Sequence, residues 1–219
     1  MKEIHRRLAG LALSALEPYG FVLAGGYAIS AHGIGDRPSQ DVDLFTNSDS
    51  EERFAEAVAR LHEALTDAGW TIEAIRERPL FVDWVVTDSS SQESSSLQLG
   101  RNYREFPPSR IEIGPVLDIR DAVASKMSAL WSRGEARDYI DVDAVLQSHL
   151  MTRPELLALA DEQEAQPFDR RVLAGQFRAA ARHGVSVYEF YGVNADRRAD
   201  IVARFRGWAD EIEDQGQRT

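Results

Sequence analysis

The chain opens on an apolar stripe at helical spacing. Ile4, Leu8, Leu11, Ala12 and Leu16 recur every three or four residues and stop at Pro18 and Gly20, which predicts an amphipathic helix. The pattern then shortens. Residues 21–24 form a compact apolar run that reads as a buried strand, Gly25 and Gly26 allow a tight turn, and residues 27–32 can start a helix at that turn. After a loop through Gly33, Gly35, Asp36 and Pro38, residues 41–45 return to extended structure. The strand period of two sends Asp41 and Asp43 to one face and Val42 and Leu44 to the other. A second helix, capped by Asp49 or Ser50 with Glu51 and Glu52 in its first turn, buries Phe54, Val58, Leu61 and Leu65 and ends at Gly69.

Three extended runs follow, at residues 70–75, 80–86 and 96–103. The last sits behind a polar serine-rich stretch, residues 88–96, expected to be a mobile hairpin tip. Asp83 interrupts its apolar strand, either as a further site carboxylate or as an edge charge facing water. Pro107 and Pro108 mark the expected boundary, because neither can donate to a sheet ladder. Beyond a final strand at residues 110–113 the period becomes helical throughout. Asp118 begins a helix carrying Val123, Met127 and Leu130 and closed by Gly134. Another holds Tyr139, Val142, Val145 and Leu146. Thr152 and Glu155 form a capping box, Asp169 caps a further helix, Ser186 and Glu189 read as another capping box, and a long helix spans residues 194–212. The pattern predicts an α+β protein: a mixed sheet with flanking helices over residues 1–115, then an α-helical bundle over 116–219.

Composition narrows the possibilities. No apolar run approaches the roughly 20 residues a membrane helix needs, and the opening ten residues lack a signal-peptide core, so a cytoplasmic protein with no membrane partner is expected. With no cysteine, disulfides and thiolate chemistry are excluded. A net charge of -11 argues against a surface coated for nonspecific nucleic-acid binding. Of 25 basic residues only Lys2 and Lys126 are lysine, which marks the internal Lys126 for a task that suits a compact point charge better than a planar fork.

The candidate chemistry gathers in residues 21–45. A helix N-terminus points free N–H groups outward, so the Gly25-Gly26 turn can seat a phosphate. Asp41 and Asp43, two residues apart on a strand, can hold Mg2+ for a nucleoside triphosphate. Arg37, just before that strand, is either a further phosphate contact or an ordinary surface arginine. Ser39 points to the same face if the strand already begins there. Phosphorylating it would then place about -1.5 to -2 charge beside the metal site.

Here the chain resembles the nucleotidyltransferase superfamily that shares the DNA polymerase beta palm. That pattern is a Gly-Gly or Gly-Ser turn followed by alternating apolar and acidic residues on the next strand, matched by Gly25-Gly26 and by Asp41-Val42-Asp43-Leu44. Residues 116–146 resemble the Lys-x-x-Ala-Leu, Arg, Arg-Asp-Tyr-x-Asp block of the AbiEii family, toxins of type IV toxin–antitoxin systems that include the mycobacterial MenT proteins. The matching positions are Lys126, Ala129, Leu130, Arg133, Arg137, Asp138, Tyr139 and Asp141. The resemblance implies that Lys126 and Asp138 join Asp41 and Asp43 in a catalytic set.

It also implies transfer of a nucleoside monophosphate from a triphosphate to an acceptor hydroxyl, with tRNA 3' ends as one acceptor class and an antitoxin protein encoded nearby. Where many polymerase-beta-like enzymes carry a third carboxylate this chain has Gln98, which leaves Asp83, Asp138 or the metal-bound hydroxyl to manage the proton. Arg170, Arg171, Arg178, Arg182, Arg197, Arg198, Arg204 and Arg206 outnumber nearby acids and read either as an RNA-facing patch or as arginines paired within the protein. Nucleotidylation of a protein or of an aminoglycoside-like small molecule, and a degenerate binding module, stay open as alternatives.

Overall fold

The alternation of Val42 and Leu44 with Asp41 and Asp43 decides how the sheet packs. In the computed structural model, which describes residues 1–164 and 166–216, the strands are β1 (Val22–Leu23), β2 (Asp41–Thr46), β3 (Trp70–Arg78), β4 (Phe81–Asp88), β5 (Ser94–Arg101), β6 (Ser109–Ile111) and β7 (Gly114–Val116). They form one mixed sheet in the order β3-β4-β5-β2-β1-β7-β6. β2 runs parallel to β5 and antiparallel to β1, while β1 is parallel to β7. Register partners share a face. Val42 and Leu44 therefore align with Leu97 and Leu99, and these with Trp84 and Val82, in one fully apolar layer.

Two helices cover that layer, α1 (Glu3–Leu16) and α3 (Glu51–Asp67), burying Leu8, Leu13, Leu16, Phe54, Leu61 and Leu65. Ser50 caps α3 by accepting from the Arg53 amide at 3.2 Å. Between α3 and the β3–β4 hairpin a groove of 610 Å³ is lined by Phe54, Val58, His62, Leu80 and Trp84, on the face opposite the aspartates. α2 (Gly25–Ala31) starts at the first glycine of the turn, two residues earlier than the apolar pattern suggests.

Several local expectations change. β3 reaches Arg78, with a bulge that leaves Ile75 exposed on the sheet edge. The serine run is mostly strand: Ser94, Ser95 and Ser96 pair with β4, so only residues 89–93 turn. That turn is pinned by Asp88, which accepts from the Ser90 amide and hydroxyl and pairs with Arg7 at 2.6 Å. The Ser90 bonds, then Arg7, hold the Asp88 carboxyl down at about 2. The final strand is a hairpin of β6 and β7 rather than a single segment.

The second unit is helical: α4 (Ile119–Ser132), α5 (Ala136–Gln147), α6 (Arg153–Gln163), α7 (Arg170–Ala179), α8 (Val185–Phe190) and α9 (Ala195–Gly216). Residues 165 and 217–219, inside the helical half expected from the pattern, lie outside the described residues. The chain divides into two compact units. Met1–His32 and Ser39–Ile119 form the sheet unit, and Gly33–Pro38 goes with the chain from Arg120 onward. Tyr139, Phe177, Phe205 and Trp208 form the aromatic centre of the helical unit, with ring centroids 4.4 to 6.0 Å apart. The Thr152–Glu155 capping box and the Asp169 cap both form. The Ser186–Glu189 box does not, because Gly184 is the N-cap of α8 and Ser186 already lies inside the helix. Among the described residues no helix is long and apolar enough to cross a membrane. The fold is the expected α+β arrangement of mixed sheet and helical C-terminal region.

Candidate active site

β2 presents Asp41 and Asp43 on the face away from α1 and α3. Both are partly exposed, while the intervening Val42 is fully buried. Backing Asp43 is the turn at the start of α2. Gly25 has φ +59, a left-handed value that side chains with a Cβ rarely adopt, and an added Cβ would overlap the Asp43 carboxylate, with Cγ only 2.8 Å away. The Ala24 amide donates to the Asp43 carbonyl at 2.8 Å, so backbone and side chain of Asp43 are both held against the glycine turn. Gly26 follows as the second residue of α2. Gly25→Ala is expected to lower unfolding stability by about 1–3 kcal/mol and to reduce nucleotide transfer. A variant with wild-type melting and turnover would show that the close approach relaxes freely.

Magnesium keeps several waters and is usually held by one or two carboxylates plus substrate phosphates. The Asp41–Asp43 pair, one carboxylate seated on bare glycine backbone, fits that donor set. Among the described residues no group of three or more histidine, aspartate or glutamate side chains gathers in a metal-binding arrangement.

The two further carboxylates weighed for proton transfer are engaged elsewhere. Gln98 sits in register beside Asp43, and Asp83 one strand further on. Two strand spacings, roughly 9–10 Å, thus separate Asp83 from Asp43. Asp83 pairs with Arg76 at 3.7 Å and accepts from the Ser96 hydroxyl at 3.4 Å. Asp138 is fully buried at the start of α5. It accepts from Arg133 at 3.1 and 3.2 Å and from the Glu135 amide at 3.2 Å, closing a capping box.

Lys126, on α4, is buried and sits closer to Asp141 than to Asp138. Nζ lies 2.9 Å from the Asp141 carboxylate and 3.7 Å from that of Asp138. Asp141 also accepts a bidentate pair from Arg37, at 2.6 and 2.7 Å. Its burial opposes ionisation, but the charge of Lys126 and the hydrogen bond and charge of Arg37 outweigh it and hold the carboxyl below the usual range. The Arg37 side chain is only 7% exposed, so it is not a loose surface arginine. Asp141 belongs to the motif block, yet its residue type and position along the chain assign it no role. The available signal was its spacing, three residues from Asp138 and so on the same helix face.

The remaining candidates divide. Ser39 is 2% exposed and precedes β2, so modifying it requires the local backbone to open. Among the described residues, at least five arginines of the patch are paired within their own unit, Arg197 with Asp143 at 3.8 Å among them. Arg170 meets Asp161, Arg178 meets Asp210 and Glu213, and Arg204 holds the fully buried Asp143 at 2.6 and 2.9 Å. Arg198 donates to the carbonyls of Ala181 and His183. A pair with no sequence signal lies at the base of the turn: His5 of α1, buried, shares a 2.5 Å hydrogen bond with the hydroxyl of Tyr27 in α2.

Compared with curated protein sequences, the chain has no match. Among solved structures it resembles JHP933 from Helicobacter pylori, with a TM-score of 0.57 and 19% identity over all of this chain and 95% of that one. It also resembles MenT4, a nucleotidyltransferase toxin from Mycobacterium tuberculosis H37Rv, with a TM-score of 0.55 and 17% identity over 96% of this chain and 90% of that one. At such identities the likeness establishes a shared fold. The model of the AbiEii family, described as nucleotidyl transferase toxins of type IV toxin–antitoxin systems, matches residues 6–207, and the chain therefore belongs to this family of nucleotidyltransferases.

Proposed function

We propose that this nucleotidyltransferase moves a nucleoside monophosphate from a triphosphate to an acceptor hydroxyl, with a tRNA 3' end as the foremost acceptor. The observation that carries the reading is the Asp43 carboxylate packed on the Gly25 backbone beside Asp41. In the reaction the acceptor oxygen bonds to the α-phosphorus as the bond to the bridging oxygen breaks and pyrophosphate leaves. Such a displacement depends on positioning and charge neutralisation more than on covalent help from the protein.

Asp41 and Asp43 would hold Mg2+, and the chemistry supplied there is polarisation of phosphate oxygens. The amides of Gly25 and Gly26 seat the triphosphate. Lys126, a compact point charge beside Asp141 and Asp138, would neutralise the outer phosphates, and Arg37 holds the same Asp141 carboxylate. Asp138 anchors the start of α5, the helix that carries Asp141. As a type IV family member the protein has an antitoxin partner, which we place in the neighbouring reading frame.

The test is incubation of the protein with each labelled triphosphate, Mg2+ and total cellular RNA and protein. Label in tRNA is the expected result. Label in protein or a small molecule moves the acceptor to another class, and no turnover leaves a nucleotide-binding module.

A further inference from the structure

Phe190 is the most exposed large apolar side chain among the described residues, at 62%. Its position is nonetheless well defined. α8 is anchored by Tyr188, which is fully buried and donates its hydroxyl to the Ala180 carbonyl at 3.4 Å. The chain then turns sharply: the Tyr191 amide returns to the Tyr188 carbonyl at 3.0 Å and the Gly192 amide to Glu189 at 2.9 Å, with Gly192 at φ +77. This turn sets the ring of Phe190 edge-on to that of Tyr191, centroids 5.1 Å apart at 83°.

The same ring pair connects to the buried charges. The guanidinium of Arg37 lies 5.5 Å from the Tyr191 ring centroid, and Arg37 is bonded to Asp141, which holds Lys126. A surface aromatic pair is thus joined through Arg37 and Asp141 to the lysine assigned to the phosphates. All of these residues lie in the helical unit.

From this arrangement we infer that Phe190 and Tyr191 form a stacking site for an unpaired nucleobase. The inference rests on the nucleotide-transfer reading above. Nucleobases present flat, polarisable faces that stack on aromatic rings, and Phe190 offers such a ring to solvent, steadied edge-on by Tyr191, which Arg37 backs in turn. Only an unstacked base can offer its face, so the ligand is a free nucleotide or the single-stranded end of a nucleic acid. Stacking accepts every base, so the pair supplies affinity and orientation rather than base choice.

The test uses the full chain and three variants, Phe190→Ala, Phe190→Leu and Phe190→Trp, with melting curves as a folding control. Binding of each nucleoside triphosphate with Mg2+, and of a short single-stranded RNA with a free 3' hydroxyl, is measured by calorimetry. The alanine and leucine variants should weaken one probe roughly tenfold or more, and tryptophan should restore it with quenching of its own fluorescence. A loss confined to the triphosphate assigns the site to the donor base, and a loss confined to RNA assigns it to the acceptor. Unchanged affinity for both probes in the alanine and leucine variants overturns the inference. Because binding is scored without turnover, probes that bind through Phe190 to a protein that transfers nothing sink the transfer reading and leave the stacking site standing.

Discussion

Asp41→Ala should abolish nucleotide transfer while leaving the protein folded. Asp41 and Asp43 share one strand face, so removing one carboxylate removes a ligand from the loaded protein. Phosphate charge stabilisation by a bound metal is worth several kcal/mol, which corresponds to a loss of roughly a thousandfold in rate. Stability should change little, since the Asp41 side chain is partly exposed and packs in no apolar layer. The measurement is single-turnover transfer of labelled nucleotide beside a thermal melt. Turnover at the wild-type rate would remove Asp41 from the site. A large drop in melting temperature would instead give it a structural role.

The second large effect belongs to Asp141, and there stability and activity should fall together. Deleting its carboxylate in Asp141→Ala leaves Arg37 and Lys126 buried without their shared counter-charge, a change that costs about 3–5 kcal/mol in comparable buried pairs. Asp141→Asn should retain part of the hydrogen bonding but not the charge.

The pH dependence has a defined sign. The folded-state pKa of Asp141 is depressed, so its contribution is fully present above the unfolded carboxylate value, about 3.9, and is lost as pH falls through the lower folded value. Denaturant unfolding at pH 7 should therefore show the full gap between wild type and Asp141→Asn. The gap should narrow steadily below about pH 4. A gap that is constant with pH would mean that the carboxylate contributes by shape alone. Asp138→Asn is the informative comparison. Its bonds to Arg133 and to the helix start predict a loss of stability, with less direct effect on Lys126, which lies 3.7 Å away.

Much of the fold was legible because local signals agreed with tertiary demand. The apolar stripes of α1 and α3, the alternation in β2, the capping box at Thr152 and the cap at Asp169 each satisfy their own backbone and also bury one face. Where local chemistry allowed two outcomes, packing chose. The serine run had the composition of a loop, but pairing with β4 drew Ser94, Ser95 and Ser96 into strand. Ser186 could have capped a helix, yet Gly184 took that place.

The sequence by itself determined the pieces of chemistry: a glycine turn, alternating aspartates and a solitary internal lysine, since each is written in residue type and short spacing. It also determined the family, through motif blocks that are local in the chain. Which charges meet was decided only by the tertiary structure. Arg37 and Asp141 are 104 residues apart, and no periodicity links a loop arginine to a helix aspartate over that distance. The same holds for Gly25 and Asp43. Two glycines in sequence permit a turn, but only strand pairing and helix placement put bare backbone where a Cβ would strike the carboxylate. Short-range sterics and periodicity can be read along one chain. Charge pairing and close packing depend on distances that exist only once the chain has folded.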